Sequence, residues 1–166
     1  GHMKRSPLPK KRTTKRRVTS PRCSNRQCSK PAKVQGWCNT HGMREADRLA
    51  REIVMQRDNH QCQVAVEGCG TLVWIQSVCQ GSMQWCHIHS RSYHAIRHSR
   101  KNAMVLCAAH HAYFTHHPLE WETWCREMGV PWDSLRLEAL HGAASWSLAE
   151  TLERLAPTPT SPKEAG

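Results

Sequence analysis

A small α+β fold held together by metal is what this sequence predicts, and three observations carry the expectation. Cysteine and histidine are plentiful, nine and twelve in 166 residues, and many fall into groups with short spacings. A β-prone stretch between residues 62 and 89 is followed by segments whose apolar residues recur at helical intervals. Aromatic residues are few apart from seven tryptophans, so the apolar core should be small.

Charge divides the chain unevenly. Residues 1–44 carry 13 Lys/Arg and no acid; the remaining 11 Lys/Arg of the total 24 face all 13 Asp/Glu. The net charge of +11 is therefore an N-terminal property. A cationic arm of this kind attracts polyanions by releasing their counterions, and nucleic acid is the commonest such partner. No apolar run approaches the roughly 18 residues of a membrane span, and no signal-peptide pattern is present, so no membrane partner is expected and an intracellular location is. Reduced thiols are the rule there, and an odd number of cysteines cannot all pair, so zinc is expected rather than a disulfide framework.

The elements follow in order. Residues 1–22 hold Pro, Ser, Thr and charge with nothing to bury, which predicts a disordered basic arm containing Arg16, Arg17 and Arg22; Gly1-His2-Met3 reads as the scar of a cleaved tag. Residues 23–42 form a finger, Cys23-x4-Cys28-x9-Cys38-x2-His41, whose four ligands suit tetrahedral zinc. So short a segment cannot build a core, and the metal supplies its folding energy. Arg22, Arg26, Lys30 and Lys33 decorate it as candidate DNA contacts. Over residues 43–57, Met43, Ala46, Leu49, Ala50, Ile53 and Val54 predict a linking helix with Arg44, Arg48 and Arg51 on another face.

Residues 58–117 form the expected core. Cys62–Trp74 reads as a hairpin arm with a turn at Glu67-Gly68, Trp85–His89 as a strand, Ser90–Lys101 as a loop, and the segment from Asn102 through Phe114 as helical. Cys62 and Cys69 in the hairpin, with Cys107 and His110 on the helix, are the expected ligands of a second structural zinc stapling a ββα unit; Cys79 and Cys125 read as small buried hydrophobes. Within Cys86-His87-Ile88-His89, strand alternation puts His87 and His89 on one face and Cys86 with Ile88 on the other.

A helical extension, residues 118–156, begins with Pro118 in a first turn, continues through LEWETWCREM to Gly129, and ends with Leu135–Leu140 and Ser147–Leu155, the last opened by a Ser147/Glu150 capping box. Trp121, Trp124 and Leu119 are expected to pack in the core. Residues 157–166 read as a disordered tail.

The order His87, Asn102, His111, the string Asn102-x3-Leu106-Cys107-x2-His110-His111, RDNHQC at 57–62 and Ser90-Arg91 together resemble the HNH endonuclease family, most closely its phage members, over roughly Val54–Glu127. The resemblance implies a ββα-metal core that hydrolyses DNA phosphodiesters, with His87 as general base, Asn102 holding the loop or assisting the metal, and His111 binding a catalytic divalent ion (magnesium, manganese, nickel or zinc). Cys86 stands where the family often has an aspartate ligand, so either the metal is a softer one bound by Cys86, or His89 or a nearby group substitutes, or the metal rests on fewer protein ligands. Arg91 is a candidate contact to the scissile region. Two cuts require a second site, through a homodimer or in sequence, and RNA stays open as a substrate. The rival expectation is an inactive, zinc-containing nucleic-acid-binding protein or an accessory factor of a phage packaging or recombination machine.

Overall fold

A computed structural model describes residues 20–72, 75 and 79–157. Arg16, Arg17 and the rest of the basic arm up to residue 19, like the tail from residue 158, lie outside the described residues. The fold is α+β: helices α1 (Asn39–Arg57) and α2 (Gln63–Glu67), strands β1 (Met83–His87) and β2 (Ala103–Cys107), then α3 (Ala108–His116), α4 (Pro118–Glu127), α5 (Trp132–His141) and α6 (Leu148–Leu155). Among the described residues no helix is long and apolar enough to cross a membrane.

Strands β1 and β2 pair antiparallel, with Met83 opposite Cys107, Trp85 opposite Val105 and His87 opposite Ala103. The run Ala103-Met104-Val105-Leu106, expected to be helical, is strand. Its register gives the reason: all five residues of β2 are buried, because helices cover both faces of the sheet. Ala103 and Val105, with Met83 and Trp85, meet Val54 and Met55 of α1; Cys86, Met104 and Leu106 meet Phe114, Trp121, Trp124 and Leu135 on the other side. A strand buried on both faces reads as a continuous apolar run, which periodicity alone does not separate from a buried helix.

The expected hairpin arm at residues 62–67 is also corrected: it is the short helix α2, entered from Cys62 and left at Gly68. Of its valines, Val64 is fully buried and Val66 is 53% exposed, which breaks the alternation a half-buried strand needs. The sequence RD at 57–58 has a structural task here. Asp58 is buried and accepts the Val105 amide at 2.8 Å, while Arg57 bonds both Asp58 oxygens and the Ala103 carbonyl. The end of α1 is thereby tied to the free edge of β2.

Helix α1 starts at Asn39 rather than Met43, so His41 stands in its first turn and the finger runs into the helix without a linker. Its buried stripe, Ala46 and Ala50, packs on Leu148, Leu152 and Leu155 of α6. Ser147 caps α6, its Oγ accepting the Glu150 amide at 3.5 Å. Trp121 and Trp124 are core residues that also bind the ββα unit, their indole N–H groups donating to the carbonyls of Ile88 and Gly68. Leu119 does not join them and is 80% exposed. Helical residues two positions apart are turned by about 200°, which puts Leu119 on the face opposite Trp121.

Candidate metal centres and histidine site

The first Cys/His group forms as expected. Cys23, Cys28, Cys38 and His41 bring one donor atom each to within 4.8 Å of all the others. Individual separations are 3.8 Å for Cys28 Sγ to Cys38 Sγ, 3.4 Å for Cys23 Sγ to His41 Nδ1 and 3.3 Å for Cys38 Sγ to the same nitrogen. A tetrahedron with zinc–sulfur bonds of about 2.3 Å and zinc–nitrogen bonds of about 2.05 Å has edges of about 3.8 Å between sulfurs and about 3.5 Å between sulfur and nitrogen. The match is close, and a disulfide at about 2.05 Å is far away. The Gly36 carbonyl accepts both the Ser24 amide and the Ser24 hydroxyl, and Gly36, at φ +83°, has its Cα side against Ser24 Oγ, where a Cβ would come within 2.8 Å.

The second group forms with one substitution in the expected set. Its members are Cys62, Cys79, Cys107 and His110, again within 4.8 Å of one another. Cys62 Sγ and Cys107 Sγ each lie 3.2 Å from His110 Nδ1. Cys69, expected as a ligand, packs instead in the main apolar core, and Cys79, expected as a bystander, is the fourth donor. Helix α2 shortens the path from Cys62, and Cys69 joins the buried cluster that includes Trp124 and Cys125. The chain then returns along the start of α3, where the Ala108 and Ala109 amides donate to the carbonyls of Ser82 and Gln80 at 2.9 and 3.1 Å. Gly81 permits that approach: its φ is +86°, and a Cβ there would stand 2.9 Å from the Ala108 methyl. These contacts bring Cys79 beside Cys107. His110 is fully buried and its Nε2 donates to the Ile75 carbonyl at 2.7 Å, which leaves the Nδ1 lone pair for a metal. Both donor sets therefore fit structural zinc.

The remaining candidates lie around the loop between β1 and β2. His87, at the end of β1, lies tilted at 54° against Trp85 with ring centroids 4.1 Å apart, and its Nε2 donates to the Arg97 carbonyl at 3.0 Å. A carbonyl only accepts, so the neutral ring carries its proton on Nε2 and presents an unprotonated Nδ1. Burial pushes the His87 pKa down to about 4; the Arg97 carbonyl opposes the shift, and the charges of Arg91 and Arg97 add to it.

Asn102 is fully buried, and every polar atom of its side chain is used inside the fold. Oδ1 accepts the His89 amide at 2.8 Å, and Nδ2 donates to the carbonyls of His89 and Ile96 at 3.2 and 3.3 Å. Of the two roles expected for it, this geometry serves the holding of the loop.

His111, on α3, meets Gln84 Oε1 through Nδ1 at 2.6 Å. With that nitrogen protonated, Nε2 keeps a lone pair, the tautomer of a metal-ligating histidine. Gln84 and Cys86 project from the face of β1 opposite Trp85 and His87, so the two imidazoles approach from opposite sides of the strand. Arg91, exposed in the loop, links them electrically: its charge lowers the pKa of His87 and, after burial, that of His111.

Cys86 and His89 are corrected as candidate ligands. Cys86 is 5% exposed, in the apolar core, where burial pushes its thiol up to about 12. His89 lies tilted against the Trp132 ring, centroids 4.4 Å apart, and donates to that residue's carbonyl through Nε2 at 3.0 Å. Among the described residues, only the two Cys3His groups gather three or more metal donors. The cationic side chains of the finger, Arg22, Arg26, Lys30 and Lys33, are all exposed. Arg48 of α1 is engaged by Glu45 and Glu52.

Comparison with family models, with curated proteins and with solved structures returned no match to this chain. The functional reading rests on its own residues.

Proposed function

We propose that the chain is a metal-dependent HNH-type endonuclease acting on DNA, with His87 as general base. The observation that carries the reading is the strand–loop–strand–helix order of β1, β2 and α3, with a tautomer-fixed imidazole at the end of β1, a fully engaged Asn102 closing the loop, and His111 in the second turn of α3. Phosphodiester hydrolysis needs a base on the side of the attacking water and positive charge where the phosphorane forms. His87 Nδ1 offers the first and Arg91 part of the second.

His111 Nε2 would hold a divalent ion, and such an ion supplies Lewis-acid charge at the scissile phosphate. A lone imidazole donor, without a carboxylate, favours nickel or zinc over magnesium, the remaining positions being open to water and substrate oxygens. The low pKa of His87 keeps the ring neutral at working pH. A phosphate anion bound beside Arg91 offsets the cationic field and moves the ring toward the more basic range in which a general base is effective. The exposed cations of the finger raise affinity without selecting sequence, because phosphate contacts position while base contacts specify.

Supercoiled plasmid, incubated with nickel, zinc, manganese or magnesium and with EDTA controls, tests the reading. Wild type nicks the plasmid in at least one metal, and His87→Ala cuts on the order of 10²–10⁴-fold more slowly while binding DNA equally. Equal cutting by both proteins removes His87 from its role. Binding without any cutting favours the rival reading, a zinc-stapled nucleic-acid-binding protein, for which the burial of Cys86 is the supporting observation.

A further inference from the structure

The loop that carries the Arg97 carbonyl is held from two sides. Asn102 holds it from within, through Ile96 and His89. From without it is held by α1. Asp47, midway along that helix, accepts Arg97 Nε at 2.9 Å and Arg97 Nη2 at 2.7 Å, and its Oδ1 also accepts His98 Nε2 at 2.8 Å. Arg97 and Asp47 are largely shielded from solvent, and His98 is 2% exposed. Burial by itself would raise the Asp47 carboxyl, but the bonds from His98 and Arg97 hold it well below the usual carboxylate range, so it stays charged.

The arrangement is more than a surface ion pair. A planar guanidinium gripped at two nitrogens has a fixed orientation, and the next residue in the chain is anchored to the same carboxylate. Two consecutive side chains so fixed leave the Arg97 peptide little freedom to rotate. That peptide's carbonyl is the partner of His87 Nε2. Asp47 also acts on His87 through space, its charge opposing the effect of Arg97 on the ring. The stretch that resembles HNH nucleases begins near Val54, so Asp47 belongs to the appended helix and not to the motif.

We propose that Asp47 is a positioning residue for the nuclease reaction: by clamping Arg97 and His98 to α1 it holds the Arg97 carbonyl against His87 Nε2 and keeps His87 Nδ1 turned toward the attacking water. The proposal rests on the nuclease reading, yet the clamp has a readout of its own in the tautomer of His87.

The experiment uses the full, zinc-loaded chain labelled with ¹⁵N. Long-range ¹⁵N–¹H correlations, assigned by their loss in His87→Gln, report which ring nitrogen carries the proton. Wild type shows the Nε2–H form. Asp47→Ala is expected to convert it to a mixture of tautomers and to lower kcat for plasmid nicking by about 10²-fold with KM unchanged. Arg97→Ala should do the same, and the double variant should lose no more than either single one, because the two act as a unit. Asp47→Asn, which keeps the shape, decides the matter if Asp47→Ala loses zinc or helicity. A folded Asp47→Asn with the wild-type tautomer and wild-type kcat overturns the clamp; a folded one with mixed tautomers and reduced kcat supports it. A wild-type chain that shows the Nε2–H form and cuts no DNA overturns the nuclease reading, and with it the catalytic purpose of the clamp, while the tautomer shift still shows what Asp47 does to the ring.

Discussion

The two Cys3His groups share a donor set and differ in almost everything else. The first takes all its ligands from one short stretch, Cys23 to His41, and touches the body through α1, whose first turn contains His41, and through α6, where Val34 and Trp37 pack on its leucines and Gln35 Nε2 donates to the Ala149 carbonyl. The second draws on three separated segments, Cys62 before α2, Cys79 before β1, and Cys107 with His110 where β2 turns into α3. One closes a loop that has no core; the other sits within the main core and fastens the elements that hold His87 and His111. The same chemistry therefore serves local folding in one place and global topology in the other.

The sharpest way to break this contrast is to remove one ligand from each. Cys107→Ser should cost on the order of 10 kcal/mol of zinc-linked folding energy, as much as a domain's whole stability, and leave a chain without cooperative unfolding by circular dichroism. Cys28→Ser should reduce bound zinc from two equivalents to one by metal analysis while the cooperative transition of the body survives. If Cys28→Ser unfolds the body as well, the finger is part of the core and the contrast is lost.

Next in size is the loop. Asn102→Ala strips partners from the His89 amide and from the carbonyls of His89 and Ile96. The Ile96 carbonyl keeps the Ser99 amide, so the His89 amide and carbonyl are the groups left unsatisfied; at roughly 1–3 kcal/mol each, a loss of about 3 kcal/mol is expected in urea unfolding. A loss below about 1 kcal/mol would show that the loop is held by α1 alone.

Smaller again is Cys69→Ala, which should retain two equivalents of zinc and cost only about 1 kcal/mol in packing, whereas Cys79→Ala should lower zinc to one equivalent and abolish the cooperative transition as Cys107→Ser does. The reverse result would restore the hairpin ligand set.

The mildest test is pH. The folded pKa of His87, about 4, lies below its ordinary value of 6.5, so the unfolded chain binds the extra proton. The stability owed to the neutral ring is complete above pH 6.5 and is lost progressively as pH falls toward 4. His87→Gln should flatten that part of the stability curve relative to wild type. An unchanged slope would mean that the ring is not buried in solution.

What could be read in advance follows the same division. The finger, the amphipathic stripe of α1, the Trp121/Trp124 pair and the cap at Ser147 all depend on residues a few positions apart, where spacing maps directly onto geometry. The choice between Cys69 and Cys79 depended on whether residues 63–67 curl or extend, and the strand at Ala103–Cys107 depended on a helix covering each face. For Cys79 the available signal was its place just before Gly81, whose positive φ allows the return along α3. Asp47 offered less, one of three acids on a helix that lies largely outside the recognisable motif.

By itself the sequence determined which residues have chemistry to offer: thiols and imidazoles in zinc-like sets, a cationic N-terminal quarter, a histidine and an asparagine at nuclease-like spacing. Tertiary structure alone decided which thiol closes the second tetrahedron, that Cys86 is buried among apolar side chains and His89 is bonded to the Trp132 carbonyl, and that a helix from outside the motif grips the loop beside His87. The physical reason is range. Ligand spacing and helical periodicity are properties of neighbouring residues, whereas burial, tautomer and ion pairing depend on groups that only the folded chain brings together.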